Sequence, residues 1–332
     1  MEFSKPNQAI GFSTRQVSSS ITSDASVPSL IERAGHDTKR RFVEFFTAQI
    51  RNKHTRRAYF RAVDRFCRWL EDHRVDRLQD VEPTMIAFYI EEMQDGYSKA
   101  SIKQHLAAIR MLFDYFVTGG LIRNNPALSV RGPRLTVIKG KTPVLQPQDA
   151  RHLLDSITTD TIGGLRDKAL ISLMLYTFAR IGAVVSMNVD DVYQNGRRYW
   201  VRLQEKNGRQ HEMPLNHHAE EAMIDYLDGG NLWDQKGVPL FRSLDRHRNL
   251  SETRMRTEYA RWMIKRRSRA AGLGDNICNH TMRATGITAY MMAGGTLEKA
   301  QQMAAHASSK TTNLYNRAND SVTLDEVERI LI

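Results

Sequence analysis

Six side chains in the second half of this 332-residue sequence stand out by type and order. Arg180 lies in Tyr-Thr-Phe-Ala-Arg-Ile-Gly and Lys206 in Leu-Gln-Glu-Lys-Asn-Gly. His280 and Arg283 form a His-x-x-Arg pair, and His306 precedes Tyr315 by nine residues in a Thr-Thr-Asn-Leu-Tyr context. The chemistry open to such a set is phosphoryl transfer. A phosphodiester under attack becomes crowded and more negative, and its non-bridging oxygens suit planar guanidinium forks. Histidines move protons near neutral pH, and a phenol can carry a covalent phosphoester. The sequence has no GxxxxGK[ST] phosphate loop, dinucleotide fingerprint, CxxC pair or HExxH motif, and no clustered carboxylates of two-metal type. No metal and no cofactor is therefore expected.

Taken singly, each residue has an ordinary reading. Arg180 could be a cation at a helix C-terminus. Lys206 at a hairpin tip could be solvated, and His306, between alanines, could be a half-buried histidine with a partner. Tyr315 is one of eleven tyrosines, and a packed tyrosine is the ordinary case.

The elements that must position these groups follow from pattern. Residues 1–35 form a serine-rich arm, with eight serines in the first 29 and no sustained apolar period, which predicts disorder. Residues 36–125 predict a compact domain of about four helices. Phe42, Phe45, Phe46 and Ile50, then Tyr59, Ala62, Phe66, Trp69 and Leu70, recur at helical spacing over 40–70. Pro83 opens a helix, Ser98 caps the next, and Gly119-Gly120 closes it. That last helix carries Ile102, Leu106, Ile109, Phe113 and Phe116 as one stripe. Residues 126–147 read as a basic, semi-extended linker, with four prolines, Arg131, Arg134, Lys139 and Lys141, and no acid.

Residues 148–332 predict a mixed domain. Helices are expected at 149–157, 165–178, 216–228, 252–271, 281–293, 296–304 and 323–331. Asn195-Gly196 and Asn207-Gly208 flank an alternating Tyr199, Val201, Leu203 run, which predicts an antiparallel meander over about 190–215. The fold class is mainly α with that small meander. Thr323 to Glu326 is a capping box opening a final helix whose Leu324, Val327 and Leu331 form an apolar stripe. The stripe could pack on its own domain or on a neighbouring subunit.

Charge names the partner class. Lys and Arg exceed Asp and Glu by 48 − 37 = 11, which favours a polyanion such as nucleic acid. Arg51, Lys53, Arg56 and Arg57 head one basic run, interleaved with aromatics. Arg254, Arg256, Arg266 and Arg267 belong to a second over 254–269. With the linker's cations these are the candidate DNA contacts, and two basic faces with a basic linker suit a clamp on duplex DNA. Two cysteines, no secretory signal and no apolar run of about 18–20 residues point to a reducing compartment and no membrane.

The order Arg180, Lys206, His280-x-x-Arg283, His306, Tyr315 resembles the tyrosine recombinases, the phage-integrase-type enzymes, over about 38–332. The first half is similar to their core-binding domain. The resemblance implies that Arg180 and Arg283 clamp the phosphate oxygens and His306 adds a donor. It makes Tyr315 the nucleophile, His280 the base and Lys206 the acid that protonates the leaving 5′ oxygen. It implies a 3′-phosphotyrosine, a Holliday junction, and a homotetramer on double-stranded DNA sites joined through the C-terminal helix. DNA-bending accessory proteins and a cytoplasmic, nucleoid location would follow. Three positions depart from the family's pattern. Ala183 stands where an acid is usual three residues after the first arginine, Ala304-Ala305 replace Leu-Gly, and Thr281-Met282 replace Asp-Leu. The missing acid leaves open how Arg180 is oriented. A DNA-binding regulator and a type IB topoisomerase are the alternative readings.

Overall fold

The computed structural model describes residues 26–135, 142–205, 208, 210–306 and 308–314. The chain divides into two compact units, Met1–Thr136 and Val137–Ile332.

The first unit is helical: α1 (Ser29–Arg33), α2 (His36–Glu44), α3 (Lys53–Asp72), α4 (Pro83–Glu92) and α5 (Lys99–Thr118). The expected arm is shorter than its predicted end at 35, because Leu30 and Ile31 are fully buried and form α1. Ser29 Oγ and the Leu30 N–H both donate to the Glu71 carboxylate, tying α1 to α3. The helical period over 40–70 is broken once. Helix α2 widens into a π-turn at Phe45–Gln49 and the chain is extended at Ile50. Asn52 then caps α3 by accepting the His54 and Thr55 N–H groups at 2.9 and 3.2 Å. Phe42, Phe46 and Phe60 pack edge to face at 5.1–6.3 Å. The five stripe residues of α5 are all buried against this core. At its end Gly120 takes φ +72°, and Leu121 N–H reaches the Phe116 carbonyl at 3.0 Å. This six-to-one bond needs a left-handed residue, and glycine adopts it without strain.

The linker is less free than its prolines suggest. Ala127 and Val130 are buried in the first core, and Arg110 donates to both their carbonyls. At the other end Leu145 is buried in the second unit, its N–H held by Thr285 Oγ1 at 3.0 Å. A basic composition concealed apolar anchors at both ends.

The second unit is built on α7 (Ile162–Thr177), which is buried along most of its length, with α6 (Pro147–Asp155) before it and α8 (Ile181–Ser186) after it. The meander is present as β1 (Val192–Asn195), β2 (Arg198–Gln204) and β3 (Gln210–Pro214), antiparallel in that order. Asn195 pairs with Arg198, so the first turn is Gly196-Arg197 with Gly196 at φ +64°. The Asn-Gly signal marked the hairpin correctly but sits one residue before the turn centre. Helix α9 (His217–Gly229) lies on α7. The helix expected over 252–271 is instead two elements. Residues Leu250–Arg254 form β5, paired with β4 (Arg242–Leu244), and only then does α10 (Thr257–Ala270) begin. Helices α11 (Asn279–Met292), α12 (Leu297–Met303) and α13 (Ser309–Asn313) complete the described chain. Helix α11 crosses close to α7. A Cβ on Gly286 would lie 2.0 Å from the Leu175 carbonyl oxygen, so only glycine permits the approach. The C-terminal helix expected over 323–331 lies outside the described residues.

Candidate active site

Arg180 sits between α7 and α8. Helix α7 ends because Phe178 adopts φ +57°, and Arg180 then caps α8 with extended backbone. Its guanidinium makes an ion pair with Glu205, the last described residue of the β2 edge before Lys206, and its own N–H also donates to that carboxylate at 3.3 Å. Glu205 is deeply buried, its side chain 2 % exposed, whereas that of Arg180 remains 35 % exposed. The carboxylate that meets Arg180 thus comes from another element and not from position 183. Ala183 itself is buried inside α8. Nothing in local spacing pairs residues 25 apart. The only sequence signal was an acid next to the candidate lysine, in a hairpin whose neighbours are basic and polar.

Arg283 is the fifth residue of α11. It is buried, and its guanidinium donates to the carbonyls of Phe178 and Ala304. One side chain therefore braces the end of α7 and the end of α12 and brings its charge to the place where Arg180 and His306 begin. A left-handed residue lies at the first of these carbonyls and directly after the second. Phe178 is left-handed, and so is Ala305, at φ +47°. A residue with a Cβ pays roughly 1–2 kcal/mol there, which explains why glycine suits the position that Ala305 occupies.

His306 follows immediately. It is buried, and its Nδ1 shares a 2.8 Å hydrogen bond with Thr312 Oγ1 on α13. Thr312 is the second threonine of the Thr-Thr-Asn-Leu-Tyr run. With the hydroxyl donating, the ring keeps its proton on Nε2, as a donor to an anion requires. Burial, then the charges of Arg283 and Arg180, push His306 down to about 3. It is neutral at physiological pH.

His280 is the second residue of α11. Desolvation, then Arg283, Arg261 and Arg180, hold it below the ordinary histidine value. Thr281, in place of an acid, accepts the Cys278 N–H at 3.1 Å and caps the same helix. The lowered value leaves the imidazole neutral, the form a base must start from, while the same cations oppose its taking up a proton.

Arg180, His280, Arg283 and His306 therefore converge from three places: the α7–α8 junction, the start of α11 and the end of α12. Lys206 and Tyr315 lie outside the described residues, each one residue beyond a described neighbour, Glu205 and Leu314.

The basic residues divide by what holds them. Arg51, Lys53, Arg57, Arg131, Arg134 and Arg256 are exposed. Lys139 and Lys141 lie outside the described residues. Three further expected DNA contacts make hydrogen bonds within the fold. Arg56 donates twice to the Ile50 carbonyl, closing the break before α3. Arg254 holds the Val185 and Met187 carbonyls at 2.9 and 2.8 Å. Arg267 grips the buried Asp167 carboxylate at 2.9 and 3.0 Å, alongside Arg166. Arg266 is intermediate, bonded to Asp167 at 3.3 Å yet exposed and lying 4.9 Å over the Trp262 ring. Charge density does not separate these uses.

Residues 143–321 match the phage integrase family, and residues 40–120 match the phage integrase N-terminal SAM-like domain. The chain belongs to the phage integrase family. Curated relatives of this tyrosine recombinase include tyrosine recombinase XerC of Roseiflexus castenholzii, 27% identical over 267 residues, covering 79% of this chain and 82% of the relative. XerC of Escherichia coli O127:H6 is 24% identical over 258 residues, covering 77% and 83%. Among solved structures, XerH site-specific recombinase bound to palindromic difH substrate aligns at TM-score 0.69 and 17% identity, over 94% of this chain and 92% of that one. A lambda integrase (75–356) dimer bound to a COC′ core site aligns at TM-score 0.65 and 16% identity, over 86% and 98%. The tyrosine recombinase fold is thus shared at low identity. Among the described residues, no helix is long and apolar enough to cross a membrane.

Proposed function

We propose that this recombinase is site-specific and joins DNA strands through a covalent 3′-phosphotyrosine on Tyr315, using neither metal nor nucleotide. Arg180 and Arg283 hold the non-bridging oxygens of the scissile phosphate, and His306 donates from Nε2. His280 takes the Tyr315 proton, and Lys206 protonates the departing 5′ oxygen. The Tyr–O–P bond forms as the P–O5′ bond breaks, so phosphodiester energy is kept for religation. The observation that carries the reading is the convergence of two arginines and two neutral histidines on one spot. Fixed donors of this kind contribute roughly 10²–10³ in rate each.

The reaction passes through a Holliday junction within a homotetramer on duplex DNA. A lambda integrase tetramer bound to such a junction shares the fold, at TM-score 0.66 and 17% identity. The catalytic unit offers an apolar cavity of about 970 Å³ lined by Leu154, Leu175, Phe178, Trp200, Met213 and Tyr290. The Leu324, Val327, Leu331 stripe of a neighbouring copy is the occupant proposed for it. The exposed cations Arg51, Lys53, Arg57 and Arg256 track the phosphate backbone. DNA-bending accessory proteins belong to the same reading, as does a cytoplasmic, nucleoid setting.

Covalent trapping tests it. Wild type and Tyr315→Phe are mixed with nicked, labelled duplexes tiled across the DNA flanking the gene. A denaturing gel then shows whether label migrates with protein. A band that requires Tyr315 is expected, and its duplex identifies the site. Tight binding on a native gel with no covalent band would replace this reading with a DNA-binding regulator. Equal bands from Tyr315→Phe would remove Tyr315 from its role.

A further inference from the structure

We propose that Glu205 is the positioning residue for Arg180: it replaces, from the β2–β3 hairpin, the acid that α8 lacks at Ala183, and so ties the two arms of the site into one register. The inference rests on the recombinase reading above.

A carboxylate whose side chain is 2 % exposed is costly to keep in the fold unless its charge and lone pairs are satisfied. Glu205 satisfies them on one residue. Oε2 takes the Arg180 guanidinium and Oε1 takes the Arg180 main-chain N–H. The two hydrogen bonds have different effects. The main-chain one holds the start of α8, where Arg180 is the N-cap, and a negative charge is favourable at a helix N-terminus. The side-chain one uses Nη1 and restrains the guanidinium. The side chain is still 35 % exposed, so the remaining N–H donors can meet a phosphate. A flexible arginine would lose much of its rotamer freedom on binding phosphate, and a pre-oriented one has already lost it.

The position of Glu205 in the chain adds a second consequence. Residue 206 is the next residue, so the acid that grips Arg180 stands one position from the candidate lysine in the chain. An acid at position 183 would orient the arginine from its own helix and leave the hairpin unlinked.

The test compares wild type, Glu205→Ala, Glu205→Gln and Arg180→Ala on the nicked duplex that wild type traps. Each is run with a normal scissile phosphate and with a methylphosphonate in its place. The methyl group removes the charge that Arg180 neutralises. On phosphate, Glu205→Ala is expected to form covalent complex roughly 10–100-fold slower, as removal of a supporting hydrogen bond does elsewhere, with DNA affinity unchanged. Glu205→Gln keeps the shape and one acceptor, so it falls in between and remains informative if the alanine variant unfolds. On methylphosphonate the deficits of Arg180→Ala and of both Glu205 variants should shrink together. A Glu205 deficit equally deep on both substrates would mean a purely structural carboxylate and would overturn the proposal. So would wild-type rates in both Glu205 variants. An Arg180→Ala enzyme as fast as wild type on phosphate would instead overturn the underlying assignment of the site.

Discussion

Among the described residues the two units differ in how deeply they bury arginine: those of the helical unit, Arg56 and Arg110 included, are exposed or half-buried, whereas Arg166, Arg242 and Arg283 of the second unit are buried. In the helical unit the aromatic core needs no charge, and Arg51, Lys53 and Arg57 stand out in solvent at the head of α3. In the catalytic unit Arg283 is buried and Arg166 is fully so, and Arg180 is pinned by a buried acid. A mobile cation suffices for the phosphate backbone, where attraction is long-ranged and salt-dependent. A reacting phosphate needs donors fixed before it arrives, and fixing them costs carbonyls, carboxylates and strained backbone. The contrast teaches that the bonds a cation makes inside the protein, rather than its charge, mark its use.

The largest expected effect is at the pinned end. Arg283→Lys cannot span the Phe178 and Ala304 carbonyls as a planar fork, so both carbonyls and the phosphate lose a partner. Covalent complex formation should fall by at least ~10³, read on the trapping gel with DNA affinity measured in parallel. A fall below tenfold would erase the contrast between the units.

The exposed end should behave differently. Replacing Arg51, Lys53 and Arg57 together by glutamine should weaken binding to all duplexes alike. The slope of log affinity against log salt should fall by about one for each phosphate no longer neutralised. Cleavage of DNA already bound should be unchanged. An altered single-turnover rate at saturating protein would move these residues into the site.

The histidines sharpen the comparison through pH. His306 is pushed down to about 3 by burial and by Arg283 and Arg180, and His280 is also lowered. A group whose folded pKa lies below its unfolded value contributes stability that is fully present above the unfolded pKa, about 6.5. That contribution fades as pH falls through the window down to the folded pKa. Urea midpoints should therefore drop as pH falls from about 6.5 toward 3, and His306→Asn should flatten the profile. The acid limb of cleavage should likewise lie below the pH of an ordinary histidine. A limb at or above about 6.5 would contradict the cluster of cations around His280.

The smallest effect is local. Ala305→Gly removes a Cβ from a left-handed position and should raise stability by about 1 kcal/mol in urea unfolding, with cleavage retained. A destabilised variant would mean that the Ala305 methyl packs usefully.

Much of this was legible in the chain. Helix caps at Ser98, Pro83 and Gly119-Gly120, the α5 stripe and the meander are local codes, read within one or two turns. The departures share a cause. The missed β4–β5 pair is three and five residues long, too short for periodicity to separate it from the helix that follows. Helix α1 hid in a serine-rich stretch because two apolar residues, Leu30 and Ile31, suffice once Glu71 caps them from α3. The linker's anchors, Ala127, Val130 and Leu145, were single apolar residues among prolines and cations.

By itself the sequence determined the fold class, the order of the candidate groups and the chemistry they suit, because residue types and their spacing carry these. Tertiary structure alone decided which arginines are held inside the fold and which stay exposed, since that depends on carbonyls and carboxylates far away in the chain. Arg254 and Arg267 were indistinguishable from Arg256 until Val185, Met187 and Asp167 were placed beside them. It also decided that the acid missing at position 183 returns as Glu205, because an ion pair is a fact of distance, and distance between residues 25 apart is set by the fold.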